Sequence, residues 1–515
     1  MVPASANPTA AAAPPSGRPP TSYEQIFRST AWIGGASAIQ ILLGIVRTKF
    51  MALWLGPAGV GLMGVYNAIT ELASTAAGMG VSSSGVRQIA EAAGSAGGHR
   101  IATTVKTLRR VALVLGLLGS IALLALSPTV SELTFGDTEH ASEVAILAST
   151  VFFASVAGGQ GALIQGMRRI ADLARIRVLG AFLGTVVGLA VVWFLREAGI
   201  VPLLVFMSAT SLVTSWWVAR RIPVVAVALD LRETMHEARA LLSLGLVFMT
   251  SALLTAGVTY VARLIIIRDL GMVAVGHYTA AYTLAGLYVS FILQAMGTDF
   301  YPRLTAVARD NDAVNRMVNE QVEISLLLAV PGVLMTLTCS DWVLAFFYSG
   351  TFAPAAEVLR WQVLGSLGRV VSWPMGYILV AKGSQRVFLT TEAASNVLHV
   401  ALLWWGVRRW GLPGTGMAFF ALYVFYALLM MLVSRRQSSF HWDLINTRLL
   451  LWMLPTVCFV FVATAALSPL AAFSAGSFVT AIATWICLKG LLRRVPAHRL
   501  GRLTFLFRWA ASGPR

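Results

Sequence analysis

The stretch LGPAGVGLMG, residues 55–64, decides how the rest of the chain is read. Gly-Pro followed by Gly59 and Gly61 is turn chemistry: glycine tolerates φ > 0, and proline suits the first turn of a helix. Long apolar runs nevertheless flank it on both sides. A sharp turn between two apolar segments of membrane-spanning length predicts a helical hairpin in a bilayer.

The composition agrees. Of 515 residues, 57% are hydrophobic and only 12% are charged, about half the charge of a soluble domain. Apolar runs near the roughly 20 residues a helix needs to cross a bilayer recur along the chain. They are too long and too uniform for barrel strands, which alternate. The expected fold class is an all-α polytopic membrane protein. Spans are predicted at 29–50, 59–80, 108–128, 142–164, 177–196, 200–219, 241–265, 273–297, 322–346, 355–380, 386–407, 413–433, 449–468 and 471–489. That is fourteen, arranged as two six-helix lobes, 29–222 and 241–433, joined by a cytoplasmic linker at 223–240 and followed by two further spans within 434–490. Residues 1–28 read as a disordered cytoplasmic tail and 491–515 as a basic one, with an interfacial character at 493–509.

Charge sets the orientation. Most of the 39 Lys and Arg fall on one side if the N-terminus is cytoplasmic, including RRIADLARIR at 168–177. The acidic SELTFGDTEHASE at 131–143 falls on the other. By the positive-inside bias both termini are cytoplasmic. The net charge of +17 is thereby explained by topology and calls for no nucleic-acid partner.

A thinner copy of the opening stretch, LGMVAVGHY, occupies 270–278. Leu55, Gly56, Val60 and Gly61 recur as Leu270, Gly271, Val275 and Gly276, 215 positions on. QGMRR at 165–169 and KGSQR at 382–386 give a second match, at an offset of 217. Two ordered matches predict a duplicated six-span unit. An even number of spans inserts both copies in the same direction, related by a two-fold axis along the membrane normal.

LGPAGVGLMGVYNAI, GVSSSGVRQIAEA at 80–92 and DFYPRLT at 299–305 together resemble the polysaccharide-transporter group of the multidrug/oligosaccharidyl-lipid/polysaccharide flippase superfamily, with the Wzx-type O-antigen and enterobacterial common antigen translocases as the nearest likeness. The likeness covers roughly residues 25–435, although the second copy of the turn lacks the Pro. It implies two lobes in a V around a central cavity, alternating access, a bacterial inner-membrane location, and an undecaprenyl-diphosphate-linked oligosaccharide as cargo for O-antigen-like surface polysaccharide. Membrane lipids and polysaccharide polymerase machinery are the implied partners.

Charges within spans need a reason, because each costs about 2.5–3.5 kcal/mol or more at mid-bilayer. The basic ones are Arg47, Lys49, Arg263, Arg360 and Arg369; the acidic ones are Glu71, Glu323 and Glu392, and His399 shares a span with the last. Steps of three and four place most of them on polar stripes. Arg47 follows Ser37, Gln40 and Gly44; Glu71 lies between Asn67 and Thr75; Arg263 follows Ser251, Thr255 and Thr259. Arg369 shares a face with Gln362, Ser366, Trp373 and Tyr377, and Glu392 with Asn396 and His399. Such stripes face a cavity or a partner helix rather than lipid. Arg263 falls between Arg47 and Lys49 under the repeat, so equivalent cations converge on one ligand.

Arg47, Lys49, Asn67, Arg263 and Arg369 are therefore the expected substrate-binding residues, their guanidinium forks matching the pyrophosphate that the family likeness implies. Glu71, Glu392 and His399 are candidates for proton coupling. The competing readings are snorkelling for Arg47, Lys49, Arg263 and Arg360, structural ion pairs for Glu71 and Glu392, and simple packing for His399.

No nucleotide-binding loop, metal motif or nucleophile elbow is present, so neither cofactor, metal nor catalytic residue is expected. DND at 310–312 reads as a solvated loop, and Cys339, Cys458 and Cys487 as small packing residues. A cation-coupled exporter of the multidrug and toxin extrusion class is the alternative function, but it favours an acidic cavity. A membrane enzyme on lipid-linked glycans would need a large outer loop with catalytic groups, and the outer connections here are short.

Overall fold

The computed structural model describes residues 22–94, 98–224, 231–295 and 300–494, and every regular element among them is helical. The first half holds α1 (Ser22–Gly78), α2 (Val81–Gly94), α3 (Gly98–Ala125), α4 (Ser127–Phe135), α5 (Ala141–Gly166), α6 (Ile170–Leu195) and α7 (Ile200–Ala219). The second holds α8 (Leu231–Leu270), α9 (Met272–Ala295), α10 (Tyr301–Ala306), α11 (Asn311–Thr338), α12 (Ser340–Phe347), α13 (Ala355–Ala381), α14 (Gln385–Trp410) and α15 (Leu412–Ser438). Two more follow, α16 (Leu444–Ala466) and α17 (Pro469–Arg494). The expected tail over 1–20, the centre of the linker and the interfacial segment beyond Arg494 lie outside the described residues.

Eleven helical stretches among the described residues are long and apolar enough to cross a membrane. Two of them, Gly34–Gly78 and Ile170–Ala219, run 45 and 50 residues, each more than twice the length of one crossing. Both contain a break. Gly56 has φ 65° and ψ −165°, with Pro57 opening the next helix. The first arm of α1 keeps pace with α6: Gln40 donates to Arg177 O at 3.5 Å, and the Trp54 and Trp193 rings are 5.0 Å apart. The second arm keeps pace with α5, with Tyr66 Oη 3.1 Å from His140 Nδ1 and Ser74 sharing a small cavity with Ala154 and Gly158. Because α5 and α6 run in opposite directions, so do the two arms. LGPAGVGLMG is thus the bend of a hairpin.

The repeat is legible in the backbone. α6 and α14 begin and end 215 positions apart, at 170–195 and 385–410. Positive φ recurs at the same interval: Gly56 with Gly271, Arg168 with Gly383, and Arg196 with Gly411. The second of these corrects the sequence alignment at 165–169. The residues that share the turn conformation are Arg168 and Gly383, 215 apart, so the glycine match at 217 is out of register by two.

Four short helices, α2, α4, α10 and α12, are not separate elements in the sequence reading. At 14, 9, 6 and 8 residues they are too short to carry a hydropathy signal of their own. α4 and α12 matter most, because each follows a long helix and folds back over the opposite half.

Candidate functional site

The site is organised by a crossing of the two hairpins. A Cβ on Gly61 would collide with Met272 O and lie 2.9 Å from Gly276 N, and a Cβ on Gly276 would collide with Pro57 O. Met272 and Gly276 are the repeat counterparts of Pro57 and Gly61. The contact is therefore reciprocal, as contacts across a two-fold axis are. Only glycine lets the two backbones approach this closely.

Arg263 sits one turn further in. It is 9% exposed, and its Nη1 donates to Thr259 O at 3.0 Å. Its Nε is buried with no partner. The missing side chain of Gly64 makes its room, since a Cβ there would lie 3.5 Å from that Nε and 2.8 Å from Thr279 Oγ1. Thr279 Oγ1 is itself buried and unpartnered.

From Arg263 an aromatic ladder runs into the second half. Tyr278, within electrostatic reach of Arg263, stacks on Tyr282 at 5.8 Å. Tyr282 meets Phe419 at 6.2 Å, Phe419 meets Tyr423 at 4.8 Å, and Tyr423 meets Tyr426 at 6.3 Å. Arg369 lies at the far end, its guanidinium 5.6 Å from the Trp373 ring and 5.8 Å from the Tyr423 ring. The Nε of Arg369 is again buried and unpartnered. Beside it Tyr426 donates to Glu392 at 2.5 Å. His399 is buried, 6.3 Å from Phe419. Gln362 is fully buried with both amide atoms unpartnered.

Arg263 and Arg369 therefore share one aromatic-walled region. Arg47 is set apart from it: its Nη1 faces Met207 Sδ on α7 at 2.9 Å, and its Nε too is buried without a partner. Asn67 and Glu71 are exposed, although Val65, Tyr66, Ala68 and Ile69 beside them are each no more than 3% exposed. These two polar side chains share a face that the neighbouring helices leave open.

Other expected residues are engaged elsewhere. Lys49 reaches the opposite half of the chain, where its Nζ donates to Ala345 O on α12 at 2.9 Å. Arg360 pairs with Asp341 at 2.6 Å and donates to Ser340 Oγ at 2.7 Å. Glu323 pairs with Arg494 of α17 at 3.0 Å. Among the described residues no carboxylate lies within 4 Å of Arg47, Arg263 or Arg369. Among the described residues these three also hold the only arginine nitrogens buried without a partner. A buried donor left unpaired costs about 1–3 kcal/mol, more when charged. Arg263 and Arg369 carry two of these donors within one aromatic-walled region, and Arg47 carries the third apart from it.

The family described as "Polysaccharide biosynthesis protein" matches residues 50–357, more than half of the sequence. The chain belongs to that family. It is similar to the lipid III flippase of Escherichia coli (strain K12), 23% identical over 424 residues, a match covering 78% of this chain and 96% of that protein. Among solved structures it resembles the lipid II flippase MurJ in an inward closed conformation, with TM-score 0.68 and 12% identity over 90% of this chain and 98% of that one. It also resembles an inward-facing multidrug resistance MATE family transporter of the MOP superfamily, with TM-score 0.66 and 17% identity over 78% and 94%. At these identities the structural likeness is one of fold.

In this member of the polysaccharide biosynthesis family the aromatic ladder is what sequence reading missed. Its signal was present as pairs one turn apart, Tyr278 with Tyr282 and Phe419 with Tyr423. Against so many apolar neighbours, aromatic spacing of that kind reads as core packing.

Proposed function

We propose that the chain is a flippase that carries an undecaprenyl-diphosphate-linked oligosaccharide across the bacterial inner membrane by alternating access, for assembly of an O-antigen-like surface polysaccharide. The observation that carries this reading is the pair of buried, unpaired arginine nitrogens on Arg263 and Arg369 in one aromatic-walled region, with a third on Arg47 apart from them. A pyrophosphate brings the charge-assisted acceptors those donors lack. In this structure the aromatic ladder between Arg263 and Arg369 is packed in the core; in the proposed transport cycle its rings would become apolar surface for sugar rings as the halves part. The lipid III flippase among the relatives and the lipid II flippase among the folds support the same class of cargo. An exporter of organic cations would gain nothing from uncompensated arginines at its centre.

In this reading the chain crosses the membrane fourteen times. The two arms of α1, then α3, α5, α6 and α7, form one lobe within 29–222. The corresponding helices form the second within 241–433, α16 and α17 add a pair within 434–490, and both termini are cytoplasmic. Cysteines placed at positions 137 and 312 should then be labelled from opposite sides; labelling of both from outside would overturn the topology.

Transport draws on the membrane potential, because an anionic headgroup moving outward gains roughly 2.3 kcal/mol per charge per 100 mV. Proton exchange at Glu71, Glu392 or His399 is a second input. The decisive experiment reconstitutes the protein in proteoliposomes with labelled lipid-linked oligosaccharide and follows its arrival in the outer leaflet. Arg263→Ala and Arg369→Ala should each abolish translocation without loss of expression. Full activity in Arg47→Ala, Arg263→Ala and Arg369→Ala alike would refute the anion-site reading. An unchanged rate after collapse of both potential and pH gradient would leave a facilitator and refute the coupling.

A further inference from the structure

Between the second arm of α1 and helices α3, α4 and α8 lies an apolar cavity of about 590 Å³. Its floor is small, formed by Ala73, Ala76, Ala77, Gly119 and Ala122, and its rim carries leucines. Leu118, Leu126 and Leu133 on that rim are 58%, 53% and 48% exposed. From Ile69 to Ala77 the lining follows eight residue steps along α1, about 12 Å of height at 1.5 Å per residue, and Met79 and α4 extend it further. One side chain with a polar atom lines it, Tyr260, and its hydroxyl is turned onto Thr134 Oγ1 at 2.7 Å. The cavity is thus a tall, dry, flexible-walled slot.

We propose that this slot holds the polyprenyl tail of the cargo while its headgroup occupies the arginine site; the inference rests on the flippase reading above. Two observations commit it to that occupant. First, the slot ends where the anion site begins. Tyr260 and Arg263 are three residues apart on α8, about one helical turn, so one molecule with an apolar chain and an anionic head reaches both. A phospholipid carries a single phosphate where the cargo carries a diphosphate, and its occupation of the slot is the competing outcome of the test below.

Second, the repeat shows that the slot is an asymmetry of the fold. Leu118, which lines it and is 58% exposed, corresponds to Val333 on α11, which is 3% exposed. There α17 covers the surface: a Cβ on Gly476 would meet Thr338 Cγ2 at 2.8 Å, and the Trp342 and Phe473 rings are 6.1 Å apart. The membrane window of α11 is accordingly 61% buried, against 22% for α3. The two helices added after the repeat close one of two equivalent faces and leave the other open, so the tail has a single side on which to lie.

The test places a photoreactive benzoylphenylalanine at Ala76 or Ala122, with Val186 on the bare face of α6 as control, in the full-length protein. The protein is reconstituted in excess phospholipid with radiolabelled undecaprenyl diphosphate. Crosslinking to the polyprenyl probe at Ala76 and Ala122 should exceed that at Val186 by about tenfold or more, a ratio that the burial of two extra methylenes already provides. Equal, phospholipid-dominated labelling at all three positions overturns the inference and makes the slot ordinary lipid contact.

Ala76→Trp and Ala122→Trp, which fill the slot, should weaken undecaprenyl diphosphate binding by about tenfold on the same reckoning while inorganic pyrophosphate binding stays as in the parent. Loss of neither would also count against it. Arg263-dependent pyrophosphate binding without enrichment in the slot refutes this inference alone. Enrichment in the slot without pyrophosphate binding refutes the anion-site reading and leaves the slot standing.

Discussion

Lys49 on α1 donates through Nζ to the carbonyl of Ala345, two residues before the end of α12. The same relationship recurs in mirror order. Arg268 on α8 donates through Nη2 to the carbonyl of Leu133, two residues before the end of α4, and approaches Glu132 O at 3.4 Å. Each half of the chain thus caps a short helix of the other. The last carbonyls of a helix have no partner within it and carry its negative end, so a cation there is favourable by about 0.3–1 kcal/mol.

The two caps should act as latches on the outer face. Lys49→Ala with Arg268→Ala should loosen it by about 1–2 kcal/mol together, taking both contributions as similar. Cysteines placed behind α4 and α12 should then react faster with a membrane-impermeant thiol reagent, by about fivefold to thirtyfold. Reaction rates that match the parent would mean that the caps do not hold the outer face closed.

The glycine crossing makes a sharper test. Gly276→Ala places a methyl group onto Pro57 O, where only backbone is available to move. Overpacking of this kind costs about 1–3 kcal/mol, and thermal unfolding in detergent should report it. Gly286→Ala, whose Cβ meets nothing within 4 Å, is the matched control and should be neutral or slightly stabilising. Equal behaviour of the two would contradict the close approach.

Arg369 separates charge from shape. Lysine there keeps the positive charge but loses the planar fork and the contact with Trp373 and Tyr423. Arg369→Lys should recover only part of the binding lost in Arg369→Ala, which truncation of a buried charge contact puts at about 2–5 kcal/mol. Pyrophosphate titration of the purified protein measures both. Full rescue by lysine would show that position 369 supplies charge alone.

Asn319 fastens the last two helices. Its Nδ2 donates to His441 O at 3.0 Å, its Oδ1 accepts from Asp443 N at 3.1 Å, and Asn446 Nδ2 donates to its carbonyl at 2.9 Å. Asn319→Leu has nearly the same size but strands buried polar groups, at about 1–3 kcal/mol each. The loop at 439–443 should become more sensitive to limited proteolysis while the crossing at Gly61 and Gly276 stays intact. Unchanged proteolysis would show that α16 and α17 are held by apolar packing alone.

How much of this was legible in the sequence follows from the range of each signal. Gly56 and Gly271 announced both bends and their repeat, because a turn between apolar runs depends on a few adjacent residues. Arg47, Arg263 and Arg369 stood out because a charge among apolar neighbours is costly wherever the chain goes. By contrast, Lys49 had the same local signature as Arg47 and a different fate. Its partner is 296 residues away and is a carbonyl that any amino acid would supply. Glu323 and Arg360 likewise met partners, Arg494 and Asp341, that no spacing rule links to them.

The sequence by itself therefore determined the long apolar helices, the bends, the repeat and which cations needed an explanation, since hydropathy, backbone freedom and charge act through neighbours along the chain. The tertiary structure alone decided which cations remain without a partner, that the tyrosines and Phe419 form one ladder, and that Leu118 stays open while its repeat counterpart Val333 is buried. Those outcomes depend on the distance between side chains on different helices, and in a bilayer that distance is set by how closely small residues such as Gly61 and Gly276 let the helices approach.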